Sequence, residues 1–514
     1  MSTVIRQIRF RSGGIFPALF LLAFILLLAG FRLPPVAGSV GFSPPVPIST
    51  SINRDSRLAE EEPELPSVTH YDLRFQLFTK DNNLEAEASM TVLNTTSAPL
   101  SEIPLILYRL FDVEEVTDGK GAPLSSTGTI VKFSDEKSLQ VRFISVRLAR
   151  PLLPGESSVV RLKYAGPLWG YPEVMRYVQD RIDDNYSLLR PDSLAYPMLG
   201  SPSFQSMMAA WRSQFTYRVE AEVPDGLVVA CGGRPVETVR KAGTAVFKFE
   251  SLKPTFRIDV AAARFEVIQD EDAGIRVYVI PGDEAEALRI LDTAKKSFLF
   301  FTRMFGELGD LPGFTIIEIP EGWGSQASDF YMLLAAAAFR DKTRTSELYH
   351  EIAHNWNIRV KPAIQRCRYF DEAFASYFQG LAIRDFEGEK AFQDYMGMRR
   401  DRFLKSCEKD EKNCSTPIAD YWKEERGENS YTKGAWSLYA LNQAIGDETF
   451  RSLVSGFLRE SQAQPVDFQD FQVFAEKTIG RSLDAFFKEW IYGTDSSRQL
   501  REKLEVGRIA ERYR

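Results

Sequence analysis

The chain has 514 residues, 44% of them hydrophobic, and its 63 basic and 70 acidic side chains give a formal net charge of −7. That length and composition mark a globular chain able to bury two or three cores. The mildly acidic balance, with charges interspersed rather than blocked, gives no case for a nucleic-acid partner.

From Ser12 to Phe31 there are 20 residues without a charge, preceded by Arg6, Arg9 and Arg11. Length and flanks fit a signal peptide or a single membrane-spanning anchor over residues 1–31, with the basic side cytoplasmic and the rest of the chain extracytoplasmic. Ala37, Gly38 and Ser39 are small enough for cleavage, while Pro17 and the length of the apolar run favour retention, so both outcomes stay open. Residues 32–67 combine Pro34, Pro35, Pro44, Pro45, Pro47, Pro63 and Pro66 with Glu60, Glu61, Glu62 and Glu64. Such a segment buries too little apolar surface to order itself and reads as a linker.

At Tyr71 the hydrophobic period becomes two. Tyr71, Leu73, Phe75 and Leu77 alternate with polar residues, and after Asp81, Asn82 and Asn83 the pattern resumes at Leu84, Ala86, Ala88, Met90 and Val92, which predicts a hairpin with one buried face. Similar alternation at Val159 to Tyr164, Phe215 to Val223 and Phe256 to Val267 predicts a β-sandwich-like domain over residues 68–268. Asn94, Thr95 and Thr96 form a glycosylation triplet of low specificity.

A second domain is expected over 269–497. Ile275, Val277 and Val279 make a strand, Asp283 is a candidate cap for a helix running to about Met304, and Phe314 to Ile319 is a short apolar strand leading into Gly322 to Ser328. Next comes His350, Glu351, Ile352, Ala353, His354, with Ser346 as a candidate cap. On a helix the two imidazoles lie one turn apart on one face, with Glu351 beside them within reach of a metal-bound water. A catalytic zinc site needs a third protein ligand and an open position. Glu372, at the start of a second amphipathic helix, completes a His2Glu set for one Zn2+ ion. Zinc lowers the pKa of water from about 15.7 to about 7, which lets Glu351 act as general base. Tyr431, a phenol that does not compete for the metal, is the candidate oxyanion donor. Phe374, Tyr377 and Phe378 are expected to pack on the first helix, and the segment around Trp436 to Leu441 to continue as a helix. Cys407 and Cys414 can pair in an oxidising compartment, leaving Cys231 and Cys367 free. Residues 498–514 read as a charged tail.

The order HEIAHNW, DEAFASYF and YTKG resembles the gluzincin metallopeptidases, most closely the M1 aminopeptidase family, with the glycyl aminopeptidase family as a relative because of Trp356 and Asn357. The resemblance implies a multidomain α+β fold, in which an N-terminal β-sandwich-like domain walls one side of a mostly helical thermolysin-like catalytic domain with a small edge sheet. It also implies His350, His354 and Glu372 as zinc ligands, Glu351 as general base, Tyr431 as transition-state donor, and an edge strand that pairs with peptide substrate where Gly324 allows close approach. Two departures stand out. Only 17 residues separate His354 from Glu372, one fewer than the family spacing, which leaves Asp371 as a rival ligand. Where the family has an amine-gripping Gly-x-Met-Glu-Asn segment, this chain reads Pro320, Glu321, Gly322, Trp323, Gly324, Ser325, Gln326, Ala327 and Ser328. The neutral Gln326 near the position of the family Glu is the expected substrate contact, able to hydrogen-bond an amine but not to pair its charge.

The resulting expectation is a zinc-dependent, extracytoplasmic, aminopeptidase-like enzyme acting on peptides or proteins, secreted or membrane-anchored. An endopeptidase, or a catalytically degenerate module that binds a peptide or partner, is the alternative. The large C-terminal helical domain of many M1 enzymes is not expected within this chain, which implies a more open cleft. Oligomeric state is not encoded in any of these patterns.

Overall fold

The computed structural model describes residues 65–204, 206–207, 213–307, 313–328 and 330–514. The expected anchor at 1–31 and nearly all of the linker at 32–67 lie outside the described residues. Among the described residues, no helix is long and apolar enough to cross a membrane.

The first part is built on sheets. The alternation at Tyr71 gives the strand Ser67–Phe78, which pairs antiparallel with Asn83–Leu93; Asn82 turns the chain between them in the left-handed region, at φ 53°. Their inward residues, including Leu73, Phe75, Leu84, Ala88 and Met90, are buried. Ser67–Phe78 also pairs in parallel with Thr216–Pro224, at the middle of a seven-stranded sheet. A four-stranded sheet, with Leu100–Tyr108 and Gln140–Leu152 in it, shares one hydrophobic core with the first. This is the sandwich-like layering that period-two burial demands. Asn94 is buried, and its amide donates to the Ala98 and Leu152 carbonyls, so the triplet is not an accessible glycan acceptor.

The boundary expected at 268 falls inside a strand. Glu266–Asp270 pairs with Ile275–Val279 and opens the second part's five-stranded sheet; the alternation there belongs to the later sheet, so the division lies nearer Phe265. In that sheet Ile275–Val279, Phe314–Ile319 and Tyr331–Ala335 run parallel, and the short strand Gln326–Ser328 forms one edge, antiparallel to its neighbour.

Helices cover the rest. Helix α1 (Glu284–Phe305) buries Ala287, Ile290, Leu291, Ala294, Phe298 and Phe301. Asp283 precedes α1 but makes no cap bond; its carboxylate accepts instead from Arg340, a charge-assisted pair stronger than a neutral cap. Helix α2 (Thr345–Ala353) packs against α1 and α3 (Phe374–Glu387). Ser346 lies within the first turn of α2 rather than at its cap. Helices α4 (Glu389–Lys409) and α5 (Lys433–Ile445) complete the bundle around the site, and Cys407 and Cys414 are joined by a disulfide. The segment 498–514 is not a loose tail. Leu500, Ile509, Ala510 and Tyr513 are buried in the same core as α2 and α3, and the charges lie on the outer face of short helices.

Candidate metal centre

Helix α2 buries Leu348, Tyr349, Ile352 and Ala353, and this fixes its rotation so that His350 and His354 share the remaining face. Their rings meet edge-on at 4.8 Å. The chain returns through a 3-10 turn, Pro362–Cys367, that ends at Arg368 with φ 58° and ψ 12°. A left-handed arginine costs about 1–2 kcal/mol and redirects the chain into the π-helical turn Tyr369–Ala373 ahead of α3. Such widened turns recur at functional sites; this one carries Asp371 and Glu372.

Glu372 Oε2 lies 3.1 Å from His350 Nε2 and 3.5 Å from His354 Nε2. Ligands about 2.05 Å from a tetrahedral zinc stand about 3.3 Å from one another, so the set fits a zinc-sized ion in its separations as well as in its donor chemistry. The three donor atoms all lie within 4.8 Å of one another, and these residues are the sole such candidate group among the described residues. Asp371 is not a rival ligand: its Oδ1 lies 2.7 Å from Nδ1 of His354, the far side of the ring, where a carboxylate orients a ligating imidazole. Nδ1 of His350 is buried with no hydrogen-bond partner among the described residues.

The other oxygen of Glu372 faces a different group. Oε1 accepts from the Tyr431 hydroxyl at 2.5 Å and from Arg368 Nη2, while Nη2 also reaches the Tyr431 oxygen at 2.8 Å and Nη1 donates to Glu428 at 2.9 Å. Burial would raise the Glu372 carboxyl, but Arg368 and His354 outweigh it and hold it well below the usual carboxylate range. Burial would likewise lower His354, yet Asp371 and Glu372 push it up to about 10. Metal binding at neutral pH must therefore displace a proton. Burial raises the Glu351 carboxyl against the pull of both histidines, which suits a group that takes and returns a proton. Tyr431 ends the 3-10 turn Gly427–Tyr431, its ring 5.8 Å from that of His350. Three residues on, Gly434 lets α5 approach the π turn: a Cβ there would stand 2.7 Å from that of Ala373.

Gln326 does not offer its side chain to a substrate. Its Oε1 accepts from Arg190 at 3.1 Å and from Arg257 at 2.6 Å, and its Nε2 donates to Asp192 at 2.8 Å. These partners lie 69 to 136 residues away, out of reach of any local reading. Gly324 has φ 74°, and a Cβ there would be 3.0 Å from that of Tyr177, so it serves the turn and a close contact within the chain. Arg368 was missed. Its signal was the four-residue spacing to Glu372, which brings a guanidinium onto the ligand's own turn.

The peptidase family M1 domain matches residues 315–490, a span containing His350, Glu351, His354, Arg368, Glu372 and Tyr431. A probable aminopeptidase 2 from Sulfurisphaera tokodaii is 25% identical over 57% of this chain and 39% of its own length. A leucyl aminopeptidase from Saccharolobus solfataricus is 24% identical over 54% of this chain and 38% of its own. The chain thus spans about two fifths of the length of these curated relatives. Its fold is that of an M1 zinc metallopeptidase from Deinococcus radiodurans, with a TM-score of 0.59 at 20% identity over 87% of this chain and 95% of the other. A sheet-rich first part followed by a helical part is the two-domain arrangement of those structures. Residues 315–490 of the chain thus match a peptidase family M1 domain.

Proposed function

We propose that this chain is a zinc-dependent aminopeptidase, with one zinc ion held by His350, His354 and Glu372. The observation that carries the reading is the approach of one Glu372 oxygen to both imidazole Nε2 atoms, at 3.1 and 3.5 Å. When bound, zinc supplies a Lewis acid that polarises the scissile carbonyl and makes water acidic enough to be deprotonated near neutral pH. Glu351, beside His350 on α2, receives that proton on its carboxylate and returns it to the leaving amine. The Tyr431 hydroxyl donates to the oxygen on which negative charge develops. The edge strand Gln326–Ser328 offers backbone groups to an extended peptide.

The decisive variant is Glu351→Gln. It is expected to bind zinc as the parent does and to lose on the order of 10³-fold in kcat; parent-level hydrolysis would remove Glu351 from the mechanism, and zinc-replete parent protein that binds peptide without turnover would support the degenerate module instead. A second reading, endopeptidase, is favoured by Gln326, whose amide is committed to Arg190, Arg257 and Asp192 and cannot pair with a substrate ammonium. Identical peptides with free and acetylated amino termini separate the two. A preference for the free amine supports the aminopeptidase, and equal rates support the endopeptidase.

We also propose an extracytoplasmic setting, with the uncharged run Ser12 to Phe31 as a leader or single-span anchor. The Cys407–Cys414 disulfide supports an oxidising compartment.

A further inference from the structure

Glu372 divides its two oxygens between two tasks, since Oε2 faces the imidazoles while Oε1 accepts from Tyr431 and Arg368. A phenol has one proton to donate. If Tyr431 is to donate to a substrate oxyanion, its hydroxyl must first release Glu372 Oε1, in a site where Glu372 is 4% exposed and an unpaired carboxylate oxygen is strongly disfavoured. Arg368 already touches both partners in this exchange, and Nη1 anchors it to Glu428 on the very turn that ends in Tyr431. Its left-handed backbone, an unfavourable conformation for arginine, is what aims the side chain there.

We propose that Arg368 is a positioning residue that retains the outward oxygen of Glu372 while the Tyr431 hydroxyl turns to the substrate. The proposal rests on the zinc peptidase reading above. Without the guanidinium, Glu372 has the phenol as its remaining partner on that side and holds it back, and the carboxylate is freer to swing away from the imidazoles.

The test compares parent, Arg368→Met, Tyr431→Phe and the double variant. Zinc affinity is measured by chelator competition without substrate, and kcat and KM on a peptide the parent cleaves. Arg368→Met is expected to weaken zinc binding about tenfold and to lower kcat about tenfold with KM within about twofold. In the Tyr431→Phe background, the same change is expected to leave kcat within about twofold. Guanidinium ion at millimolar concentration is expected to restore part of the loss, since Arg368 is 36% exposed. Should Arg368→Met fail to fold, Arg368→Gln is read by the same criteria. Equal fractional losses in both Tyr431 backgrounds, or unchanged zinc affinity, would overturn the proposal while leaving the peptidase reading intact. A zinc-loaded parent that cleaves no peptide would overturn both.

Discussion

Two buried clusters of charge, one beside the edge strand Gln326–Ser328 and one on the turns and helices around His350, differ in how completely they are paired. Beside that strand, Arg190 holds Asp180 through Nε and the Tyr177 and Trp323 carbonyls through Nη2; Arg257 binds Asp259 and Asp192, and Gln326 joins the two arginines. None of the buried side-chain polar atoms of these six residues is left without a partner. Around His350 the pairing stops short, because one carboxylate oxygen is shared by two imidazole nitrogens and a buried ring nitrogen has no partner. A closed network fixes structure, whereas an open one is arranged for something absent from the chain itself. Buried charge alone therefore does not mark the functional site; a set of metal-type donor atoms converging within 4.8 Å of one another does.

The strongest way to break this contrast is to open the closed cluster. Arg190→Met leaves Asp180, fully buried, without its cation, and Asp180 is already pushed up to about 6 by burial against the pull of Arg190. The expected loss is about 3–5 kcal/mol in denaturant unfolding, with zinc content of the folded protein unchanged; a loss below about 1 kcal/mol would show that the cluster is not a structural unit. Next in size is Tyr431→Phe on the open side, expected to lower kcat by about 10²–10³ while stability and zinc content stay near those of the parent. A stability loss with no kinetic loss would return Tyr431 to the structural class.

Lys433 sharpens the comparison through pH. It is buried, its ammonium has no hydrogen-bond partner among the described residues, and it stands 5.9 Å from the Phe403 ring. Burial lowers its pKa from 10.5 to about 7. Because the unfolded chain keeps that proton up to 10.5 and the folded chain releases it near 7, the penalty is full below pH 7 and disappears as the pH rises toward 10.5. Stability should thus climb with pH in that window by up to about 1.4 kcal/mol per unit. Lys433→Met is expected to remove this slope and to be the more stable protein at pH 7, as read by unfolding at several pH values. An identical slope in both proteins would mean that Lys433 finds a counter-charge in solution.

The sequence made the open cluster legible and hid the closed one, for a physical reason. His350, Glu351 and His354 lie within one helical turn, and Glu372 and Tyr431 stand in short apolar patterns, so spacing and period carry them. Arg190 and Gln326 are 136 residues apart, and no local period records a contact made by folding. The hairpin at Tyr71 was readable because alternate residues are buried. The buried end of the chain was not, since Leu500, Ile509 and Tyr513 are sparse among charges that point outward. The caps at Asp283 and Ser346 failed because tertiary pairing with Arg340, and a helix whose cap position is Arg344, two residues earlier, override local preference. Arg368 left one local signal, its four-residue spacing to Glu372, while its left-handed backbone is something sequence periodicity does not express.

The most direct measurement is zinc stoichiometry after metal loading and dialysis, in the parent and in Glu372→Ala. One zinc per parent chain, and a loss of at least about 10²-fold in zinc affinity when Glu372 is removed, is the result required by a His2Glu centre. A parent that retains no zinc, or a Glu372→Ala protein that retains as much as the parent, would contradict it.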